Sequence, residues 1–249
     1  MRTLTLIRYG WPLAAVGLWS LQAGAQEVPD SPESPPSTTE AAEATPPDAE
    51  PEAETGPQAY ALDPASSFLA VVVYNDENRW TPVTGHDHVM KAQTFSGTVV
   101  WDTEDASACD VQISFPASAL QVDPPGARER MGLDPDGAIG DGQKLTVVKN
   151  MLGKHVLAAD AFPDLSFASS SCDGTTGAVQ VRGELKVHGV GKAVAVPMTI
   201  TLEQGSFHAK GTFDLGHADF GMKPFTYGPG TPRNAEKLTF VVDVQGSLK

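Results

Sequence analysis

Between Gly177 and Leu202 apolar and polar residues alternate along one run, break at glycines, and alternate again. Val179, Val181, Gly183, Leu185 and Val187 fall on one face of the first run, with Gln180, Arg182, Glu184, Lys186 and His188 on the other. A period of two is the signature of a strand with one buried side. In the second run Val194, Val196, Met198, Ile200 and Leu202 share a face, and Gly189, Gly191 and Lys192 are expected to supply the turn between them. The segment therefore reads as a long β-hairpin. Long strands with one continuous apolar face must close around something, either their own side chains or a ligand.

The first residues do not read as part of such a fold. Arg2 and Arg8 precede an apolar run from Trp11 to Leu21 that ends in Ala23-Gly24-Ala25, the pattern of an export signal cleaved after Ala25. The run is short for a membrane span, so an uncleaved anchor is the lesser alternative. No cysteine follows the cleavage site to carry a lipid. Residues 26–57 then hold nine acidic side chains, no basic ones and eight prolines, which is the composition of an unfolded, semi-extended spacer. Residues 58–249 are expected to form a single domain.

That domain carries 22 acidic against 15 basic residues and no basic stripe interleaved with aromatics, which excludes a nucleic-acid groove. Its two cysteines, Cys109 and Cys172, lie in a chain marked for export, where a disulfide is the default and a pair of partly buried thiols the alternative. Strand signals recur at Phe68 to Tyr74, Val83 to Ala92, Phe95 to Trp101, Asp110 to Phe115, Asp164 to Ser169, Ser206 to Leu215 and Lys237 to Leu248. One interval differs. Asp141 to Lys154 spaces Leu145, Val148 and Leu152 at helical intervals, with Asp141 placed to cap a short helix. About eight antiparallel strands with one helix point to an all-β fold, a single closed barrel ahead of a sandwich.

The sharpest polar cluster is Gly85-His86-Asp87-His88. Histidines two apart on a strand point the same way and present two imidazoles to a metal, but no third ligand is evident unless the fold brings His155 or His217 near. A hydrogen bond to backbone, or to a polar head group at a barrel mouth, is the favoured role for His86, His88 and His217, and no metal or other cofactor is expected. His188 and His208 fall on polar faces. No G-x-S-x-G, H-E-x-x-H, Cys-x-x-Cys or P-loop is present, and Ser118, Asp87 and His88 have no spacing that supports a triad. The chain is not expected to be an enzyme.

Three segments together resemble one family. Ala161-Phe162-Pro163-Asp164-Leu165-Ser166-Phe167-Ala168-Ser169 has an aromatic-Pro pair leading into a strand with Phe-x-Ser, Gly183 to Lys192 has the form G-x-L-x-x-x-G-x-x-K, and Asp219-Phe220-Gly221 follows. With the opening Tyr60-x-Leu62-Asp63-Pro64-x-x-Ser67, their order resembles the YceI-like family over Tyr60 to Leu248. His217 departs from the pattern, which commonly has Arg there. The resemblance implies a lipocalin-like antiparallel barrel, exported to the periplasm or beyond, whose tunnel holds a polyisoprenoid or similar lipid, with at most transient membrane contact. On that basis Phe68, Val72, Phe95, Ile113, Phe115, Phe167, Leu185, Val187, Phe213, Phe220, Phe225 and Phe240 are the expected lining residues. Pattern alone favours a barrel filled by its own side chains, and the resemblance reverses that preference. The other readings are a periplasmic metal- or stress-linked protein using His86 and His88, and a lipid-ester hydrolase.

Overall fold

The computed structural model describes residues 56–76, 85–226, 228, 231 and 233–249, all within the compact unit Pro51–Lys249. The expected export signal, nearly all of the acidic spacer, and Val83 and Thr84 at the start of one expected strand lie outside the described residues.

Eleven strand segments and two α-helices follow in order: β1 (Gln58–Leu62), β2 (Phe68–Asn75), β3 (His88–Ala92), β4 (Ser96–Trp101), β5 (Asp110–Pro116), β6 (Leu120–Val122), α1 (Ala127–Arg130), α2 (Asp141–Leu152), β7 (Asp164–Thr175), β8 (Ala178–Val187), β9 (Val190–Glu203), β10 (Ser206–Gly216) and β11 (Asn234–Leu248). Every pairing is antiparallel. β1, β4, β5, β7, β8, β9, β10 and β11 form a ring that closes where β11 pairs with β1. The remaining three segments continue this ring. β1 and β2 both pair with β11, β3 and β4 pair with β2 and β1, and β6 and β5 pair with β3 and β4. The fold is thus an eight-stranded barrel in which three strands are bent.

The first bend shows how the sequence makes one. Leu62 lies opposite Gly246 and Phe68 opposite Asp243, so six steps of chain span three of the partner. Asp63 ties off the excursion by accepting from the backbone N–H groups of Ala65 and Ser66 and from the Ser66 hydroxyl. The Ser67 hydroxyl then takes the Gln245 N–H at 3.0 Å, standing in for the missing ladder bond. β7 repeats the device: its register against β8 shifts between Ser169 and Ser171, and the Ser169 hydroxyl accepts the Val111 N–H at 2.7 Å.

β7 to β10 run as a meander through the two-residue turns Thr176-Gly177, His188-Gly189 and Gln204-Gly205. φ is positive at both residues of the last two, +53° and +72° at His188 and Gly189, the conformation that matches strand twist. Gly191 and Lys192, expected in the turn, instead pair within β9 opposite Lys186 and Leu185. The apolar faces of β8 and β9 turn inward as the alternation predicts.

Helix α2 starts one residue earlier than the expected cap allows. Gly140 is the N-cap, its N–H held by Gln143 Oε1, and Asp141 lies inside the first turn. Met151 is its buried residue, whereas Leu145, expected on the apolar face, is 72% exposed. A second helix, the single turn α1, was not anticipated. It covers the outer side of β2 and β3, where Phe68, Ala70, Val72, Val89, Ala127 and Val241 form a second hydrophobic cluster. Cys109 and Cys172 are joined by a disulfide, their Cα atoms 6.0 Å apart, beside the ladder of β5 and β7.

Candidate functional site

Inside the ring lies a cavity of about 140 Å³. The side chains around it come from the inward positions of nearly every strand, among them Ile113, Phe115, Phe167, Leu185, Val187, Phe213 and Phe240, all expected there. Ser166 and Trp101 are its only lining residues with a polar side-chain atom, and the Trp101 indole N–H is buried without a partner. Strand phase explains why Val99, Trp101, Phe207 and Met198 also line it; Met198 was already on the inward face of the hairpin.

Four expected lining residues are elsewhere. Phe68 and Val72 point outward into the cluster under α1, while Leu69 and Val71 line the cavity. The run Phe-Leu-Ala-Val-Val-Val-Tyr is apolar on both faces because both are covered, so alternation gives no phase. Phe95 and Phe220 are buried in the main core and line neither this cavity nor the chamber beside it; Phe220, wholly buried, backs Phe240 with ring centroids 6.2 Å apart.

A second chamber of about 560 Å³ adjoins the first across Val71, Met90, Leu120, Leu165, Val187 and Phe240. It opens beneath α2, which contributes Gln143, Thr146, Val147, Asn150 and Met151, and the twelfth expected residue, Phe225, lines it. So do His86, His88 and His217. This is the mouth of the barrel, and its character is mixed where the inner cavity is apolar.

The mouth histidines are held by specific partners. His88 Nδ1 is 2.7 Å from Asp123 Oδ2, and Asp123 Oδ1 accepts the Val89 N–H at 2.8 Å. Arg128 approaches Asp123 at 3.7 Å while its guanidinium donates to the carbonyls of Asp87 and Asp134. Burial pushes the Asp123 carboxyl up, but the hydrogen bonds from His88 and Val89, together with the nearby Arg128 charge, outweigh it and hold the group below the ordinary aspartate range. His217 Nδ1 lies 3.0 Å from the Glu236 carbonyl. Arg233 lines the chamber too, with its guanidinium paired to Asp76 at 2.7 Å. Among the described residues no group of three or more His, Cys, Asp or Glu is suited to a metal, Asp87 accepts the Asn75 N–H, and the acid against His88 is Asp123. His155 is exposed, His188 forms a turn, and His208 pairs with Asp243 at 2.6 Å, away from both cavities.

The three sequence motifs prove to be joinery around this site. Phe162 packs on Gly189, where a Cβ would stand 2.5 Å from its ring; Phe167 packs on Gly183, where a Cβ would stand 2.7 Å away. Lys192 reaches Asp219 at 2.6 Å, tying the hairpin motif to Asp-Phe-Gly. Asp219 also accepts the Gly216 N–H, and Gly221 at φ +67° ends the turn that delivers Phe220 to the core.

Residues 60–245 match the YceI-like domain. No curated protein matches the chain in sequence. Among solved structures, BcnA of Burkholderia cenocepacia is 16% identical and superposes with a TM-score of 0.54, covering 74% of this chain and 98% of its own. A polyisoprenoid binding domain from Saccharophagus degradans is 14% identical with a TM-score of 0.50, covering 77% and 99%. The YCEI protein of Campylobacter jejuni is 10% identical with a TM-score of 0.50, covering 70% and 91%. At such identities the structural likeness speaks for the barrel alone, but the domain match spans β1 to β11, and on that match the chain belongs to the YceI-like family.

Proposed function

We propose that this barrel is an exported carrier that holds a long, uncharged hydrocarbon chain of polyisoprenoid type in its interior. The observation that carries the reading is the inner cavity, apolar on all sides, opening toward a larger chamber of mixed character. Apolar surface of this kind has no use for water, and each buried CH₂ of a guest contributes about 0.8 kcal/mol. A five-carbon isoprene unit then gains on the order of a few kcal/mol before the cost of ordering the chain. The chamber lies within the range of about 300–1,000 Å³ typical of small-molecule sites. The Saccharophagus degradans relative, a polyisoprenoid binding domain, supports the same class of guest. Function on this reading is partition, with no bond made or broken. Delivery across an aqueous compartment fits the export signal, and no helix among the described residues is long and apolar enough to cross a membrane.

The test is native mass spectrometry of the protein purified from the cells that make it, followed by solvent extraction of whatever is released. A species with isoprene mass increments supports the proposal. An empty barrel that also fails to take up an added polyprenol overturns it. Leu185→Trp, placing an indole in the inner cavity, is expected to abolish uptake while leaving the circular dichroism spectrum intact.

A further inference from the structure

His88 and His217 sit at the mouth in equivalent states, and those states select the head group they meet. A carbonyl oxygen only accepts, so His217 Nδ1 carries the hydrogen toward Glu236 and the neutral ring keeps a bare lone pair on Nε2. The Asp123 carboxylate imposes the same tautomer on His88. Both rings line the chamber, both spend Nδ1 on protein, and neither Nε2 has a partner among the described residues. His217 is 2% exposed as a residue, and its ring borders the chamber.

The cations argue in the same direction. Arg233 is the one Lys or Arg among the described residues lining the chamber, and Asp76 already neutralises it. Arg128 is turned to Asp123 and two carbonyls, and Lys144 donates to the Asp123 carbonyl at 2.8 Å. A phosphate brought here would be desolvated with no free counter-charge. Gln143, Thr146 and Asn150 carry donors and acceptors alike and discriminate little, and His86 is exposed to solvent, which leaves the two buried imidazoles to set the preference.

We propose that the chamber is a head-group site for a lipid that ends in a hydrogen-bond donor, an alcohol or phenol, with His217 Nε2 as the principal acceptor and His88 Nε2 as the second. This rests on the reading of the tunnel as a site for an apolar chain. A lipid capped by an ether or ester offers only lone pairs to these nitrogens, and a prenyl phosphate offers an unpaired charge.

The full chain is titrated at pH 8 with geranylgeraniol, its methyl ether and its monophosphate, by displacement of an apolar fluorescent probe. The alcohol is expected to bind about tenfold more tightly than the ether, the worth of one buried hydrogen bond, and the phosphate more weakly still. In His217→Phe the alcohol-to-ether ratio falls toward one. Should that variant not fold, the wild-type protein decides: the alcohol, and not the ether, moves the ¹⁵N resonance of the unprotonated His217 nitrogen upfield. Equal affinity for alcohol and ether, or a preference for the phosphate, overturns the head-group assignment while leaving carriage intact. Failure of all three, and of the hydrocarbon squalene, overturns carriage and the assignment with it.

Discussion

Asp123 concentrates the polar energetics of the molecule in one residue. It is 4% exposed, sits at φ +43°, and its two oxygens serve His88, the Val89 N–H and Arg128. Removing the carboxylate leaves the buried Arg128 charge without its counter-ion and the Val89 N–H and His88 Nδ1 without a partner, so Asp123→Ala is expected to cost about 3–5 kcal/mol in urea denaturation. Asp123→Asn, which keeps an oxygen for Val89 and tolerates positive φ, is expected to cost less. The pH dependence follows from the sign of the shift. Because the folded carboxyl is held below its unfolded value, its contribution is complete above about pH 4 and is lost as pH falls through the folded pKa. Stability measured from pH 6 down to pH 2 should therefore fall less steeply in Asp123→Asn than in the native protein. Gly189 is the backbone counterpart: at φ +72° under the Phe162 ring, Gly189→Val is expected to cost about 1–2 kcal/mol from backbone conformation alone, with ring displacement in addition. The Asp63, Ser67 and Asp219 hydrogen bonds were not legible in the sequence, since each joins the ends of an excursion whose course the local residues do not specify.

At the scale of elements, the exposed Leu145 and buried Met151 separate helix propensity from helix placement. Periodicity in Asp141 to Lys154 announces a helix correctly, but which stripe packs inward depends on the barrel mouth beneath it. Leu145→Ser is expected to change stability by less than about 0.5 kcal/mol, and Met151→Ala to cost about 2–5 kcal/mol, both read from denaturant midpoints. The disulfide is the other element-level constraint. Cys109 and Cys172 are 63 residues apart, so the bond closes a loop that encloses both helices and β5, β6 and most of β7. Chain-entropy reasoning gives it about 4 kcal/mol. Reduction, or Cys109→Ser with Cys172→Ser, is expected to lower the melting temperature by several degrees at least while the barrel still forms. The bent strands were read in pieces: β2, β4, β5 and the meander stand out, whereas β1 and β6, five and three residues long, are too short to show a period.

The barrel is organised around an enclosed apolar space with one polar end. Inner cavity and mouth chamber share wall residues from β2, β3, β6, β7, β8 and β11, so a chain entering beneath α2 meets the inner cavity without crossing a polar layer. The same arrangement makes the interior a thermodynamic sink: a bound prenyl chain is expected to raise the melting temperature in proportion to the logarithm of its concentration, and Leu185→Trp to remove that dependence, as scanning calorimetry with and without polyprenol will show.

Period-two alternation in Gly177 to Leu202, in β10 and in β11 determined by itself that the chain is β-rich, antiparallel and one-sided, because the pleat forces alternate residues to opposite faces. Glycine and aromatic spacing likewise determined the three motifs by which the family is recognised. Tertiary structure alone decided the rest. It turned Phe68 and Val72 outward, since a strand covered on both faces carries no phase in its sequence. It also chose Asp123 rather than Asp87 for His88, since a partner 35 residues distant is selected by closure of the barrel and not by proximity in the chain. The size of the apolar cavity has the same origin, because it depends on how far apart the ring holds walls of otherwise identical residues.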